Sequence, residues 1–213
     1  MSKVTAPLLS FSGSGQIAKT QVYSSWRGIP YARRYVIPAN PRSSGQTETR
    51  TVFSYMTQLW KLAGPLLQAP WTAFTKGRPL TNRNAFIGQN VKVLRGEADN
   101  DAFIASPGAA GGIVAAGIAA AVAGTEITIT LTAPELPDGW AITAGVAVAT
   151  LQQDPSASSN FQAFEGSDAA TPYEITLDVL TAGTYVVAGW FTYSKADGST
   201  AYGPALSTTA VVA

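Results

Sequence analysis

The chain has 213 residues and a formal net charge of +1, and it contains no cysteine and no histidine. Disulfides, thiol chemistry, the usual zinc sites and a histidine general base are therefore excluded. The small net charge hides a strong asymmetry. Residues 1–96 hold 13 Lys or Arg and one acid (+12), whereas residues 97–213 hold one Lys and 12 acids (−11). This division predicts that the basic half binds a partner surface.

Residues 1–42 are predicted to form an extended basic arm. Proline recurs at Pro30, Pro38 and Pro41, too often for a helix, and Gly and Ser interrupt the first 15 residues. The segment is nevertheless rich in aromatic side chains, which disordered tails lack. Because Trp, Tyr and Arg dominate protein–protein contacts, we expect this segment to bind a partner. The expected partner-binding residues are Tyr23, Trp26, Arg27, Tyr31, Arg33, Arg34, Tyr35, Arg42 and Arg50.

Residues 43–96 are predicted to form a small helical segment of three short helices. Ser43 and Gln46 fit a capping box at the start of the first helix. Pro70 fits the first position of the second helix, and Thr81 fits the cap of the third. The first helix is predicted to bury one apolar stripe formed by Val52, Phe53, Met56, Leu59, Trp60 and Ala63.

The apolar period changes to two from about residue 112, after an acidic and Gly/Ala-rich linker at 97–111. The runs "TEITITLTA", "WAITAGVAVATL", "YEITLDVL" and "TYVVAGWFTY" are separated by turn signals. About seven strands in about 100 residues predict an immunoglobulin- or fibronectin-like β-sandwich over residues 112–213. In "LTAGTYVVAGWFTY", Leu180 and Tyr185 resemble the tyrosine corner of such sandwiches. The predicted fold class is mainly β with a small α part.

Three segments resemble sites or membrane spans but are interpreted otherwise. "GSGQIAKT" lacks the second glycine of a phosphate-binding loop, because Ala18 stands in its place. Glu97, Asp99 and Asp101 offer oxygen ligands but lack the glycine and closing Glu of a calcium loop, which favours a solvated linker. The uncharged stretch 107–124 is mostly Ala and Gly and favours a strand over a membrane span. No acid/base pair emerges, so neither catalysis nor a cofactor is expected.

The first half of the chain resembles a pattern in tailed-phage and prophage structural proteins. The resemblance is carried by "YARRYVIPANPRSSGQTETRTVFSYMTQLWKLAG", "APWTAF" and "NAFIGQNVKVL", and it covers roughly residues 15–95. The pattern combines an Asn-Pro-Arg-(Ser/Thr) run, two helices with Trp and an Asn-Ala-Phe-x-x-x-Asn helix. The matching positions are Asn40, Pro41, Arg42, Ser43, Gln46, Arg50, Trp60, Trp71, Asn84, Ala85, Phe86 and Asn90. The C-terminal half is similar to Ig-like domains appended to phage head and tail proteins.

The resemblance implies a non-enzymatic virion protein that docks on the phage particle by its basic arm and helices. The attachment point would be tail or portal-proximal, or a capsid decoration site, and the partners would be other virion proteins and copies of the chain itself. Two alternatives stay open. One is a carbohydrate or host-surface binding module with Trp190, Tyr193 and Tyr202 as stacking residues. The other is nucleic-acid binding through the arm. A nucleic acid is less favoured than a protein as the partner of the arm, because the sequence contains no known nucleic-acid-binding motif.

Overall fold

The described part of the chain is mainly β with a small α part, which confirms the predicted fold class. The structure is a computed structural model, and it divides the chain into two compact units, Met1–Arg42 and Ser43–Ala213. Arg27 and Leu180 lie outside the described residues, which are 2–3, 14–26, 29–37, 39–155, 161–179 and 181–213.

The N-terminal unit contains a small antiparallel sheet, so the extended chain expected there pairs with itself. The strand order is β1-β4-β3-β2, with β1 (Ser2–Lys3), β2 (Gly15–Ile17), β3 (Gln21–Trp26) and β4 (Ile29–Arg34). The β2–β3 turn spans the three residues between Ile17 and Gln21, and it holds Ala18 and Lys19 at φ 49° and 54°. The described part of the phosphate-loop-like run, residues 14–20, therefore belongs to a hairpin.

Three helices follow in the described residues: α1 (Ser44–Leu62), α2 (Pro65–Thr75) and α3 (Asn82–Leu94). Thr81 caps α3 as predicted, because its hydroxyl accepts a hydrogen bond from the Asn84 N–H at 3.3 Å. Two other predictions are wrong. Ser43 is the N-cap of α1 but makes no side-chain cap bond, and Pro70 lies inside α2, which starts with Pro65 instead.

The apolar stripe of α1 is largely as predicted and faces the core. Val52, Met56 and Leu59 are buried, and Tyr55 joins them on the same face. The one error in the predicted stripe is Phe53, which is 52% exposed. Its position follows Val52 directly, about 100° further around the helix, and this angle turns its side chain away from the core.

The remaining strands of the second unit form two sheets. A three-stranded sheet has the order β10-β7-β6, and a six-stranded sheet has the order β5-β12-β11-β8-β9 with β13 paired to β11. The strands are β5 (Pro107–Ala109), β6 (Gly117–Ala123), β7 (Glu126–Thr132), β8 (Ala141–Leu151), β9 (Ala163–Asp168), β10 (Tyr173–Asp178), β11 (Gly183–Ser194), β12 (Thr200–Pro204) and β13 (Leu206–Val212).

The two sheets pack face to face as the predicted β-sandwich. Ile127 and Ile129 of β7 and Ile175 of β10 meet Val187 and Phe191 of β11 in a buried core. The tyrosine corner is also present, because a hydroxyl near the start of β11 donates back to a carbonyl four residues upstream at 2.9 Å. The residues of that bond are Tyr185 and Thr181.

The six-stranded sheet is buried on both faces, because the helices cover the face that the other sheet leaves open. Val146 and Val148 of β8 and Trp190 of β11 belong to one core with Trp60 and Phe86 of the helices. This arrangement explains the continuous apolar runs of β8 and β11, since a strand covered on both sides needs no polar face. The second unit is therefore a three-layer body, and the helices do not form a separate domain.

Residues 97–111 are part of this body, so the predicted linker is wrong. Asn100 is fully buried, and its amide donates to the Tyr55 hydroxyl at 2.7 Å and the Leu151 carbonyl at 3.0 Å, while its oxygen accepts from the Gln153 N–H at 3.0 Å. Phe103 is buried in the helical core. The sequence suggested a linker because the acidic residues of the segment are prominent, but they lie in its turns and not in its buried part.

Candidate functional site

The N-terminal sheet gathers large side chains on one of its faces. Opposite residues of an antiparallel pair share a face, and successive residues alternate. The register pairs Trp26 with Ile29 and Val22 with Arg33, and Tyr31 lies between these two pairs on β4. We call this surface the aromatic face; its large side chains are Val22, Trp26, Ile29, Tyr31 and Arg33.

The aromatic face is open to solvent. Trp26 is 65% exposed and Ile29 is 46% exposed, and the apolar residues Val36 and Ile37 that follow the sheet are exposed further still. None of the described residues between 14 and 42 is buried. A soluble surface rarely shows a Trp and several aliphatic side chains together, and such patches mark interaction sites.

Among the described residues of this sheet, 14–34, no side chain is buried. An isolated hairpin is at best marginally stable in water, and a sheet of three or more strands needs a hydrophobic face or packing against a helix. In the described part of the N-terminal unit the candidates for that packing are the side chains of the aromatic face. The face is therefore suited to being covered by a partner.

A cleft of about 680 Å³ runs beside Arg33 on this sheet. Tyr35 closes one side, and its N–H donates to the Thr20 carbonyl at 2.8 Å, which fixes the chain beyond β4 against the β2–β3 turn. The lining thus combines two guanidinium groups with an aromatic ring. The lining residues are Gly15, Gln16, Val22, Arg33, Arg34, Tyr35 and Val36.

The electrostatics of the unit have a single sign. Residues 1–42 contain six Lys or Arg and no Asp or Glu. Arg33 and Arg34 are exposed at the end of β4, and Arg42 is exposed beyond the sheet. Because no carboxylate within the unit can neutralise these side chains, their field is available to an acidic surface.

The structure separates the nine predicted partner-binding residues into groups. Trp26, Tyr31 and Arg33 share the aromatic face, whereas Tyr23 and Arg34 alternate to the opposite face. The Tyr23 hydroxyl donates to Gln21 Oε1 at 2.9 Å on that opposite face. Tyr35 lies at the cleft and Arg42 is exposed after it, while Arg27 falls outside the described residues.

Arg50 belongs to the second unit, in the first turns of α1. It lines a hollow of about 450 Å³ together with Arg95, which follows α3. The hollow also contains Ser43, Gln46 and Thr49. Arg50 therefore belongs to a second basic surface, on the helical layer, which the sequence prediction did not distinguish from the first.

The sequence prediction missed the aliphatic part of the site. Ile29 lies on the aromatic face, and Val36 and Ile37 continue from it with exposures of 67% and 76%. Their apolar character was visible in the sequence, but an apolar residue near a proline is equally compatible with a core. The register with β3, which places Ile29 beside Trp26, could be recognised only from the pairing.

Five of the twelve residues that carry the resemblance lie in the core of the second unit, and the other seven are exposed. The five are Trp60, Trp71, Ala85, Phe86 and Asn90. Trp71 is fully buried and its ring N–H donates to the Ala105 carbonyl at 2.7 Å. Asn90 is also fully buried, and it donates to the Ile104 carbonyl at 3.1 Å while accepting from the Ile104 N–H at 2.8 Å. These residues stabilise the helical layer and are not available to a partner.

The residues considered for other chemistry have structural roles. Trp190 and Tyr193, the proposed carbohydrate-stacking residues, are fully buried, and Tyr202 is half-buried. Hydrogen bonds from the Asp101 backbone N–H and the Gln152 side chain hold the pKa of Asp99 below its usual value. Asp99 therefore orders a turn.

The part of the chain that the structure describes shows neither a metal site nor a membrane-spanning helix. Within the described residues, no group of three or more Asp, Glu, Cys or His side chains could hold a metal ion. The helices described are all too short or too polar to cross a membrane. Comparisons with protein-family models, curated proteins and solved structures found nothing that matches this chain.

Proposed function

We propose that this protein is a non-enzymatic structural component of a tailed-phage virion, which docks on the particle through its N-terminal sheet and helices. The observation that carries the proposal is the aromatic face, which presents an exposed Trp, Ile and Arg and a half-buried Tyr on a sheet whose residues 14–34 include no buried side chain where they are described. The resemblance of residues 15–95 to phage structural proteins supplies the setting, a tail, portal-proximal or capsid-decoration site.

The chemistry of the docking partner follows from the face. Trp, Tyr and Arg are the residues that contribute most to protein interfaces when water is excluded from them. Arg33 favours carboxylates, with which a guanidinium group forms paired hydrogen bonds. The partner surface would therefore be acidic around an apolar centre.

The helical layer supplies a second basic surface for the same purpose. Residues 43–96 carry seven Lys or Arg against the single acid Glu48. All seven basic side chains are exposed, and they lie on or beside the three helices: Arg50, Lys61, Lys76, Arg78, Arg83, Lys92 and Arg95. The acidic sandwich would then be presented away from this basic surface, toward neighbours or solvent.

Particle composition tests the proposal directly. Quantitative mass spectrometry of purified phage should find the chain in the particle, and replacing Trp26 and Tyr31 by alanine should reduce its copy number about tenfold or more. Val211→Ala is the matched control, because Val211 is 66% exposed but belongs to the sandwich. Absence of the wild-type chain from particles would refute the proposal.

Single-stranded nucleic-acid binding is the alternative that the same face supports, since exposed aromatic rings next to arginines can stack on bases. Salt titration separates the two functions. Nucleic-acid binding would weaken steeply and linearly with the logarithm of salt concentration, because bound phosphates release counterions. Binding to particles that persists in high salt, and is lost on Trp26→Ala, would favour the structural role.

A further inference from the structure

The outer surface of the three-stranded sheet is acidic. Glu126 of β7 and Glu174 and Asp178 of β10 point to solvent, alternating with the buried Ile and Leu residues of the same strands. Between them lie Thr128, Thr130 and the exposed alanines of β6. We call this surface the acidic face; no Lys or Arg occurs in the three strands.

The acidic face contains an unfavourable pair. Asp178 lies directly opposite Glu126 in the ladder between β10 and β7, and both are exposed. Like charges at opposite positions of a sheet cost stability. The one Lys of residues 97–213, Lys195, is engaged elsewhere, donating to the Ala110 carbonyl and lying 5.1 Å from the centre of the Trp140 ring. A cation from another molecule would relieve this repulsion.

We propose that the aromatic face of one copy docks on the acidic face of a second copy, head to tail. The inference rests on the proposed function, because it names a partner for the same face. The charges are complementary: residues 1–42 carry +6 and residues 97–213 carry −11. Arg33 would bind the carboxylates, while Trp26 and Tyr31 would cover the small side chains of β6 and β7.

Contact between the two aromatic faces of a pair of copies is disfavoured, because each belongs to a unit with a charge of +6 and no acid.

The size of the acidic face predicts a weak contact. Three strands of about seven residues cover about 23 Å by 14 Å, on the order of 300 Å², which is less than the 800 Å² or so that each partner contributes to a standard interface. The Kd of an isolated pair would then be on the order of 0.1 mM. In an array the same contact would be reinforced by the other attachments of each copy.

Sedimentation velocity of the full chain tests the contact. Association should appear above the expected Kd in low salt and disappear in about 0.5 M salt. Replacing Glu126 and Asp178 by lysine should weaken it at least about tenfold, and so should Arg33→Glu. The control with the same change of net charge replaces Glu135 and Asp138 by lysine, since both are exposed outside the three strands.

A mixing experiment identifies the two faces as partners. A copy with the reversed acidic face keeps its aromatic face, and a copy with Trp26 and Tyr31 replaced by alanine keeps its acidic face. Mixed together, they should form a dimer that does not grow, because each free end is blocked. The inference would be overturned if the wild-type chain were monomeric at several times the expected Kd. It would also be overturned if the control weakened association equally, or if no mixed dimer formed. Incorporation of the chain into particles would still stand as the separate test of the proposed function.

Discussion

Replacing Glu165 by alanine is expected to loosen the helical layer from the sandwich. Glu165 lies on the edge strand β9, and its two carboxylate oxygens accept hydrogen bonds from the backbone N–H groups of Leu66 and Leu67 at 3.3 and 3.0 Å. These are the second and third residues of α2. The N-cap of α2 is Gly64, which has no side chain, so Glu165 performs the capping from the other layer.

The structure sets the size of this effect. Loss of an N-cap side chain costs about 0.5–2 kcal/mol, and a hydrogen bond to a charged group contributes about 1.5–3 kcal/mol. The two bonds are themselves the cap, so the two ranges are not added. Because both bonds with Glu165 are only partly buried, we take about 1–1.5 kcal/mol for each and expect a loss of about 2–3 kcal/mol. In a unit of 171 residues, which is 213 less 42, that loss lowers Tm by roughly 5–10 °C.

Urea unfolding followed by tryptophan fluorescence measures the loss, because Trp60, Trp71 and Trp190 are buried in the layer that Glu165 secures. Glu165→Gln keeps one acceptor oxygen and should lose about half as much. Glu174→Ala, an exposed Glu on the neighbouring sheet, should stay within about 0.5 kcal/mol of the wild type. If Glu165→Ala also stays within that limit, the capping role is refuted.

Further substitutions test other positions of the second unit. Asn100→Ala should lower the free energy of unfolding in urea by about 2–4 kcal/mol, because the buried Tyr55 hydroxyl and Gln153 N–H lose their partner. The control Asn84→Ala, at an exposed position, should stay within about 0.5 kcal/mol of the wild type. Equal losses in the two variants would contradict this. Gly88→Ala should raise Tm, since its Cβ would meet nothing within 4 Å in a helix, and Gly64→Ala should lower it, since its Cβ would overlap Glu165; the reverse order would contradict this. Burial raises the pKa of Tyr193 to about 12. The stability that the neutral phenol contributes to the folded state is therefore complete below its unfolded pKa of about 10 and is lost as the pH rises through about 12. Tyr193→Phe should flatten the alkaline fall of the free energy of unfolding, and an unchanged slope would contradict this.

The sandwich could be predicted from the sequence because its strands carry their own period. Ile127, Ile129 and Leu131 alternate with polar residues, and all three are buried as the period of two requires. The helical starts were harder to place. Pro65 and Pro70 both fit a first helical position, and only the long-range contact with Glu165 selects the earlier one. No local pattern reports a cap supplied 99 residues away.

The candidate site was predictable in composition but not in arrangement. Trp26, Tyr31 and Arg33 stand out in the sequence as a mixture of aromatic and basic residues. Their common face depends on the register between β3 and β4, which the turn and the pairing determine together. Ala18 and Lys19 carry the turn without the Asn or Gly that normally signals it, so the strands on either side went unrecognised.

The six-stranded sheet, covered on both faces, limits how this gene can be divided by recombination. A crossover near residue 112 would separate the helices from Val146, Val148 and Trp190 and leave an open apolar surface on the sandwich. The helices and the sandwich must therefore be inherited together. A crossover between Arg42 and Ser43 falls at the boundary between the two compact units. Exchange of the N-terminal unit alone would keep the helices and the sandwich together.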